Sequence, residues 1–184
     1  DQQHNFLSAR EVVARGAHPL CHLLAHGAAF DPTAQAHDWG RGEIGLGRSL
    51  RRFLDRSGIS PEQIDLVVSG ASGSRSGDRL EALTLRAAWG ERPLPPVIAP
   101  KGLTGEYGGG FLAAGLAVAA GARPGPAAGF REPDPELGLS PWTGGELAAP
   151  RVSLLTALAS GGAAAWALVA PPAGKPEPPA PPGV

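Results

Sequence analysis

Short apolar runs alternate with stretches of helical period, and this alternation narrows the fold more than any other property of the chain. Ile64 to Gly70, IDLVVSG, is rich in β-branched residues and predicts a short buried strand. PPVIAP, before Lys101, predicts another. HPLCHLLAHGAAF, His18 to Phe30, reads as a strand with Leu20, Leu23 and Leu24 as its apolar bulk. Between these runs, Leu46, Leu50, Phe53 and Leu54 recur at helical spacing, with Arg48, Arg51, Arg52 and Arg56 on the other face and Gly58 as the stop. Ser60-Pro61 opens a short helical turn. DRLEALTLRAAWG predicts a second helix, with Asp78 and Glu81 spaced as a capping box and Gly90 at its end. FLAAGLAVAAG is apolar on all sides, as a helix covered by protein would be.

RVSLLTALAS and AAAWALVA flank Gly161-Gly162 and predict an antiparallel hairpin. Strand, helix, strand, helix, strand, helix and hairpin describe a layered α/β domain with a mixed sheet. From Pro171 half the residues are proline, so residues 1–170 are expected as the domain and 171–184 as a disordered Pro-rich tail.

Composition narrows the function classes. A net charge of −1 leaves no electrostatic footprint for nucleic acid or an anionic membrane. Phe111 to Ala120 is too short to span a bilayer. One cysteine, Cys21, allows no internal disulfide, and a cytoplasmic, reducing setting is expected. The chain starts at Asp1 and holds no methionine, so upstream sequence is expected.

The motif candidates have bland readings beside them. His18, His22 and His26 are four apart but fall on a strand, too spread for one ion, and no Cys or acidic cluster completes a set; no metal is expected. GRGEIGLGR and GEYGGG match neither the dinucleotide fingerprint nor the P-loop, and no cofactor is expected. Cys21 has no paired base and reads as a buried structural thiol. Asp78 and Glu81 are explained by capping alone. Lys101, directly after a strand, becomes notable only if it meets those acids at the sheet edge.

As a set, these residues resemble a known family. SGASGSRSGDRLEAL (Ser69 to Leu83) resembles the A-H-G-T-x-T-P-x-x-D-x-x-E segment of β-ketoacyl-acyl carrier protein synthases. PKGLTGE (Pro100 to Glu106) resembles their K-x-x-x-G-H motif, EPDPELGL (Glu132 to Leu139) their P-D-P-E loop, and ALASGGAAAWALV (Ala157 to Val169) their closing G-F-G-G-T-N-A hairpin. The order and spacing match from about Arg10 to Ala170.

The resemblance implies the C-terminal half of a thiolase-like fold: a mixed five-stranded sheet with helices packed on it, without the half that carries the nucleophilic cysteine. It also implies departures. The two family histidines, which bind the developing enolate oxygen, fall at Gly70 and Glu106. Glycine has no side-chain donor, and an ionised glutamate only accepts. Asp78, Glu81 and Lys101 match the family's charged network. The gating and oxyanion loop becomes Leu158, Ala159, Ser160, Gly161 and Gly162.

Loss of both histidines is similar to the chain-length factors, inactive ketosynthase-like subunits that pair with an active ketosynthase in fatty-acid or polyketide assembly. The implied partner is then a ketosynthase-like subunit or the missing N-terminal half, and an acyl carrier protein is admitted too. A second reading is a truncated active enzyme, its cysteine upstream, with backbone N–H groups near Gly161 and Gly162 as oxyanion donors. A third is a non-enzymatic α/β interaction domain.

Overall fold

The computed structural model describes residues 11, 14–105, 115–116, 121, 124–127 and 129–172. The expected helix Phe111–Ala120, Glu106 and the tail from residue 173 lie wholly or mostly outside these. Strand β1 (His22–Phe30) leads to helix α1 (Glu43–Ser57), a 3-10 turn (Pro61–Gln63) and β2 (Leu66–Val68). Helix α2 (Arg75–Trp89), β3 (Val97–Ile98), the short α3 (Lys101–Thr104), β4 (Ser153–Leu158) and β5 (Ala163–Ala170) follow.

The five strands form one sheet in the order β1-β5-β4-β2-β3. β2 runs parallel to both β3 and β4, while β5 is antiparallel to β4 and β1. The sheet is therefore mixed, as expected. Its parallel part comes from strand–helix–strand crossovers and its antiparallel part from the hairpin, where Gly161 and Gly162 take φ of 85° and 94°. Asp65 pins the start of β2 to that of β4. It accepts from the amides of Arg151 (2.8 Å) and Val152 (3.1 Å) and pairs with the Arg151 guanidinium at 3.0 Å.

One sheet face carries the main core. Val67, Leu154, Trp166 and Leu168 meet Leu46, Leu50, Phe53 and Leu54 of α1 and Leu80, Leu85 and Trp89 of α2. The opposite face has a smaller cluster of Leu66, Val68, Ile98, Leu155 and Val169, bordered by Leu116, Trp142 and Leu147.

β1 departs from expectation. Leu20, Leu23 and Leu24 are exposed, at 69, 58 and 45%, and a register shift falls between Leu23 and Ala25. Small residues, Ala25 and Ala29, face the core instead. The cause is across the sheet: Phe53 stacks on Trp166 with centroids 6.2 Å apart, and a Cβ at Gly27 would sit 2.7 Å from the Phe53 ring. Bulk supplied by α1 leaves no room for bulk from β1. Cys21 also departs from its reading: it is half-buried beside the smaller cluster, and partial burial pushes its thiol pKa up.

α1 and α2 touch where Gly47 lies against α2. A Cβ there would meet the Ala87 Cβ at 2.5 Å and the Thr84 carbonyl oxygen at 3.1 Å. Helix propensity alone would favour Gly47→Ala by about 1 kcal/mol. Overpacking at such a contact costs about 1–3 kcal/mol, so a net loss of stability is expected, read as a lower urea midpoint at unchanged m-value.

Candidate functional site

The segment after β2, Ser69 to Gly73, runs along the C-terminal edge of the sheet and is laced to α2 by two acids. Glu81 lies on the buried face of α2 with Leu80, Thr84, Leu85 and Ala88. Its Oε1 accepts from the Ser69 hydroxyl at 2.7 Å, the Gly70 amide at 3.0 Å and the Thr156 hydroxyl of β4. One turn earlier, Asp78 accepts from the amides of Ser72 and Gly73, both at 3.0 Å. The expected capping-box role of these two acids is thereby corrected. The N-cap of α2 is Ser74, whose Oγ accepts from Gly77, and both acids hold the loop before the helix.

Glu81 is buried, and burial pushes its carboxyl above the ordinary range. The nearby Asp78 charge acts in the same direction, while bonds from Thr156, Ser69 and Gly70 act against it. Lys101 follows β3, the parallel neighbour of β2, so it shares the sheet edge with Gly70. It is buried and has interactions of its own. Among the described residues, no ion pair joins it to Asp78 or Glu81; Glu81 is held by neutral donors instead.

Gly70 is walled in. A Cβ built there would lie 2.8 Å from the Thr156 carbonyl oxygen, 3.3 Å from the Ala157 Cα and 3.5 Å from Glu81 Oε2. The first two are backbone atoms of the neighbouring strand, which a side-chain rotation cannot move. The position lacks space for an imidazole as well as lacking the imidazole. Glu106, the other altered position, falls outside the described residues.

The closing hairpin offers no free oxyanion donors at the two glycines. The Gly161 amide donates to the Asp38 carbonyl at 3.0 Å, and the Gly162 amide to the Ala159 carbonyl at 3.2 Å. Leu158 is packed in the core and Ser160 is exposed in the turn. Of the backbone N–H groups expected near this turn as part of an oxyanion hole, those of Gly161 and Gly162 are already engaged.

The loop after β1 strengthens this closure, through a residue that the motif reading missed. Asp31 is 1% exposed. It accepts from the Thr33 amide (2.9 Å), the Thr33 hydroxyl (2.7 Å) and the Gly42 amide (2.9 Å), and its own N–H donates to the Gly162 carbonyl (2.8 Å). Burial acts upward on its pKa, but the bonds from Thr33 and Gly42 outweigh it and hold the carboxyl below the usual range. The available signal was Asp31-Pro-Thr33, an Asx turn, followed by Gly40 and Gly42, which leave space for the carboxylate.

Among the described residues, no cluster of three or more His, Cys, Asp and Glu side chains is arranged for a metal, and no helix is long and apolar enough to cross a membrane.

Comparisons with known proteins give the chain's relatives and its fold. A polyketide beta-ketoacyl synthase 2 of Streptomyces cyaneus is 40% identical over 110 residues, which is 59% of this chain and 25% of that protein. The tetracenomycin polyketide synthase ketoacyl synthase beta subunit of Streptomyces glaucescens is 33% identical over 98 residues, 53% of this chain and 22% of that protein. The chain thus spans about a quarter of the length of these curated relatives. In fold it is similar to the ishigamide ketosynthase/chain length factor (TM-score 0.76, 24% identity, 89% of this chain and 41% of that chain). It is also similar to a type II polyketide synthase ketosynthase solved with its acyl-carrier protein (TM-score 0.79, 18% identity, the same coverages). The fold is thus the C-terminal part of a thiolase-like ketosynthase. The model of the beta-ketoacyl synthase C-terminal domain family matches residues 22–122, more than half of the chain, and a chance likeness to that family is thereby excluded: the chain belongs to it.

Proposed function

We propose that the chain is part of a non-catalytic ketosynthase-like subunit of polyketide assembly, which pairs with an active ketosynthase and works with an acyl carrier protein. The observation that carries this is Gly70, where the histidine of the family motif is replaced by a residue with backbone packed against it. Engagement of the Gly161 and Gly162 amides removes two donors that could have compensated for it. The relatives support the same reading, since two of them are named as a beta subunit and a synthase 2. The exposed Leu23, Leu24 and Phe30 along the edge strand are apolar surface that further protein would cover.

The test uses the full-length protein, alone and with a ketosynthase. Malonyl decarboxylation by the isolated protein is expected to be absent. Losing one preorganised enolate donor raises a barrier by about 3 kcal/mol, and here the side-chain donor at position 70 is gone. Decarboxylation by the isolated protein that Glu106→Gln abolishes would overturn the reading and make Glu106 a working acid–base residue.

A further inference from the structure

The edge of the sheet at which β2 and β3 begin holds a cleft that the subunit reading does not use. Pro61 and Ile64, before β2, face Pro93, Leu94 and Pro95, before β3, across a space of about 290 Å³, which Trp89 from the last turn of α2 also lines. Glu62 and Arg92, one from each wall, form an ion pair there, and each side chain stays about half exposed. Arg92 also donates to the Trp89 carbonyl at 3.3 Å, which fixes its place at the rim. A guanidinium has several donors and a carboxylate several acceptor sites, so this pairing leaves both with capacity for further partners.

Strand register brings the Pro-rich tail to this same edge. Val169 of β5 is level with Ser153, which opens β4, and Ser153 is level with Leu66, which opens β2. Because β5 runs antiparallel to β4, it ends where β2 and β3 begin, and the described chain leaves the sheet there at Pro171 and Pro172. From β5 across β4 to the gap between β2 and β3 is two to three strand spacings, about 10–15 Å. A polyproline segment advances about 3.1 Å per residue, so Lys175 and Glu177 stand about 9–15 Å beyond Pro172 along such a path. These two are the only charged residues of 171–184, and Pro176, Pro178 and Pro179 flank them. The tail thus carries one charge of each sign at the reach where the cleft offers one of each. Its composition excludes a core of its own, but not a groove supplied by the domain.

We propose that the cleft between the segments before β2 and β3 is the docking groove for this chain's own tail, with Lys175 meeting Glu62, Glu177 meeting Arg92, and the intervening prolines on the apolar walls. Polyproline segments suit such grooves because they are extended before they bind and lose little freedom on docking. The groove lies at the edge opposite Gly70 and Lys101, which follow the ends of β2 and β3, so the assignment is independent of the subunit reading.

The experiment replaces Ala180 with the photocrosslinking residue p-benzoylphenylalanine in the full-length protein, which keeps every proline of the tail. Crosslinks are mapped by mass spectrometry. They are expected within one chain, on the segments 61–64 and 89–95. Arg92→Glu and Glu177→Arg should each lower the yield by about two- to fivefold, as loss of an exposed ion pair does, and the two together should restore it. The restored yield separates charge pairing from damage to the cleft, because a merely distorted cleft would stay empty in the double variant. Crosslinks spread over other surfaces, or none, would overturn the assignment. Crosslinks at the cleft but between two chains, read as a doubled mass on a denaturing gel, would overturn it in favour of exchange between copies. A yield that neither single reversal changes would overturn the charge pairing.

Discussion

Gly70→His is expected to destabilise the chain without restoring catalysis. The motif alone invites the opposite expectation, that returning an imidazole would return its chemistry. The geometry forbids this, because the first atom of any side chain at position 70 would lie 2.8 Å from the Thr156 carbonyl oxygen. That oxygen belongs to β4, which is paired on both sides, by β2 and β5. Relief requires β2 and β4 to part or the Ser69–Gly73 loop to lift, and lifting the loop stretches the bonds from Ser69 and Gly70 to Glu81. Overpacking of this kind costs about 1–3 kcal/mol, occasionally more. Gly70→Ala separates bulk from chemistry: it should carry most of the same loss, read as a lower urea midpoint. A Gly70→His protein as stable as the parent, or one that gains malonyl decarboxylation, would show that the pocket opens.

Much of the fold was legible because its signals are local. Gly58 and Gly90 stop their helices as glycines do after a last turn. The Gly161-Gly162 pair marked the hairpin, and the β-branched run at Leu66–Val68 marked a strand buried on both faces. What was not legible depended on partners distant in sequence. Nothing in HLLAHGAAF says that its leucines point outward. That follows from Phe53 and Trp166, which occupy the space a large β1 side chain would need.

The candidate site divides in the same way. Glu81 could be placed beside Gly70 by resemblance, but its hydroxyl and amide partners could not be read from the chain. Two signals were nonetheless present. Glu81 interrupts the apolar stripe of Leu80, Leu85 and Ala88 on α2, and Thr156 stands between Leu154 and Leu158 on the core-facing side of β4. Two polar residues on two apolar faces packed together are expected to find each other. The closed hairpin was invisible for a different reason, since Gly161 donates to Asp38, 123 positions earlier in the chain.

Glu81→Ala is expected to be the most damaging single truncation. It leaves the Ser69 hydroxyl, the Gly70 amide and the Thr156 hydroxyl without their common acceptor in a buried place. Each unsatisfied buried donor costs about 1–3 kcal/mol, so the sum is comparable to the whole stability of a small domain. Glu81→Gln keeps an acceptor oxygen and separates shape from charge. Burial raises the Glu81 pKa in the folded state, so between the ordinary carboxylate value and that raised value the folded chain binds more protons than the unfolded one. Stability from Glu81 is therefore complete below the ordinary value and declines as pH rises through the folded one. Asp31 and Asp65 act with the opposite sign, because both are held low. Their contribution is present above the ordinary value and declines as pH falls through their folded values. The parent should therefore show two separate declines, an acidic one from Asp31 and Asp65 and one at higher pH from Glu81. In Glu81→Gln the upper decline should vanish and the acidic one remain, as read by urea unfolding across pH. An upper decline that persists in Glu81→Gln would mean that another buried group carries it, and a stable Glu81→Ala would mean that the loop after β2 does not depend on this carboxyl.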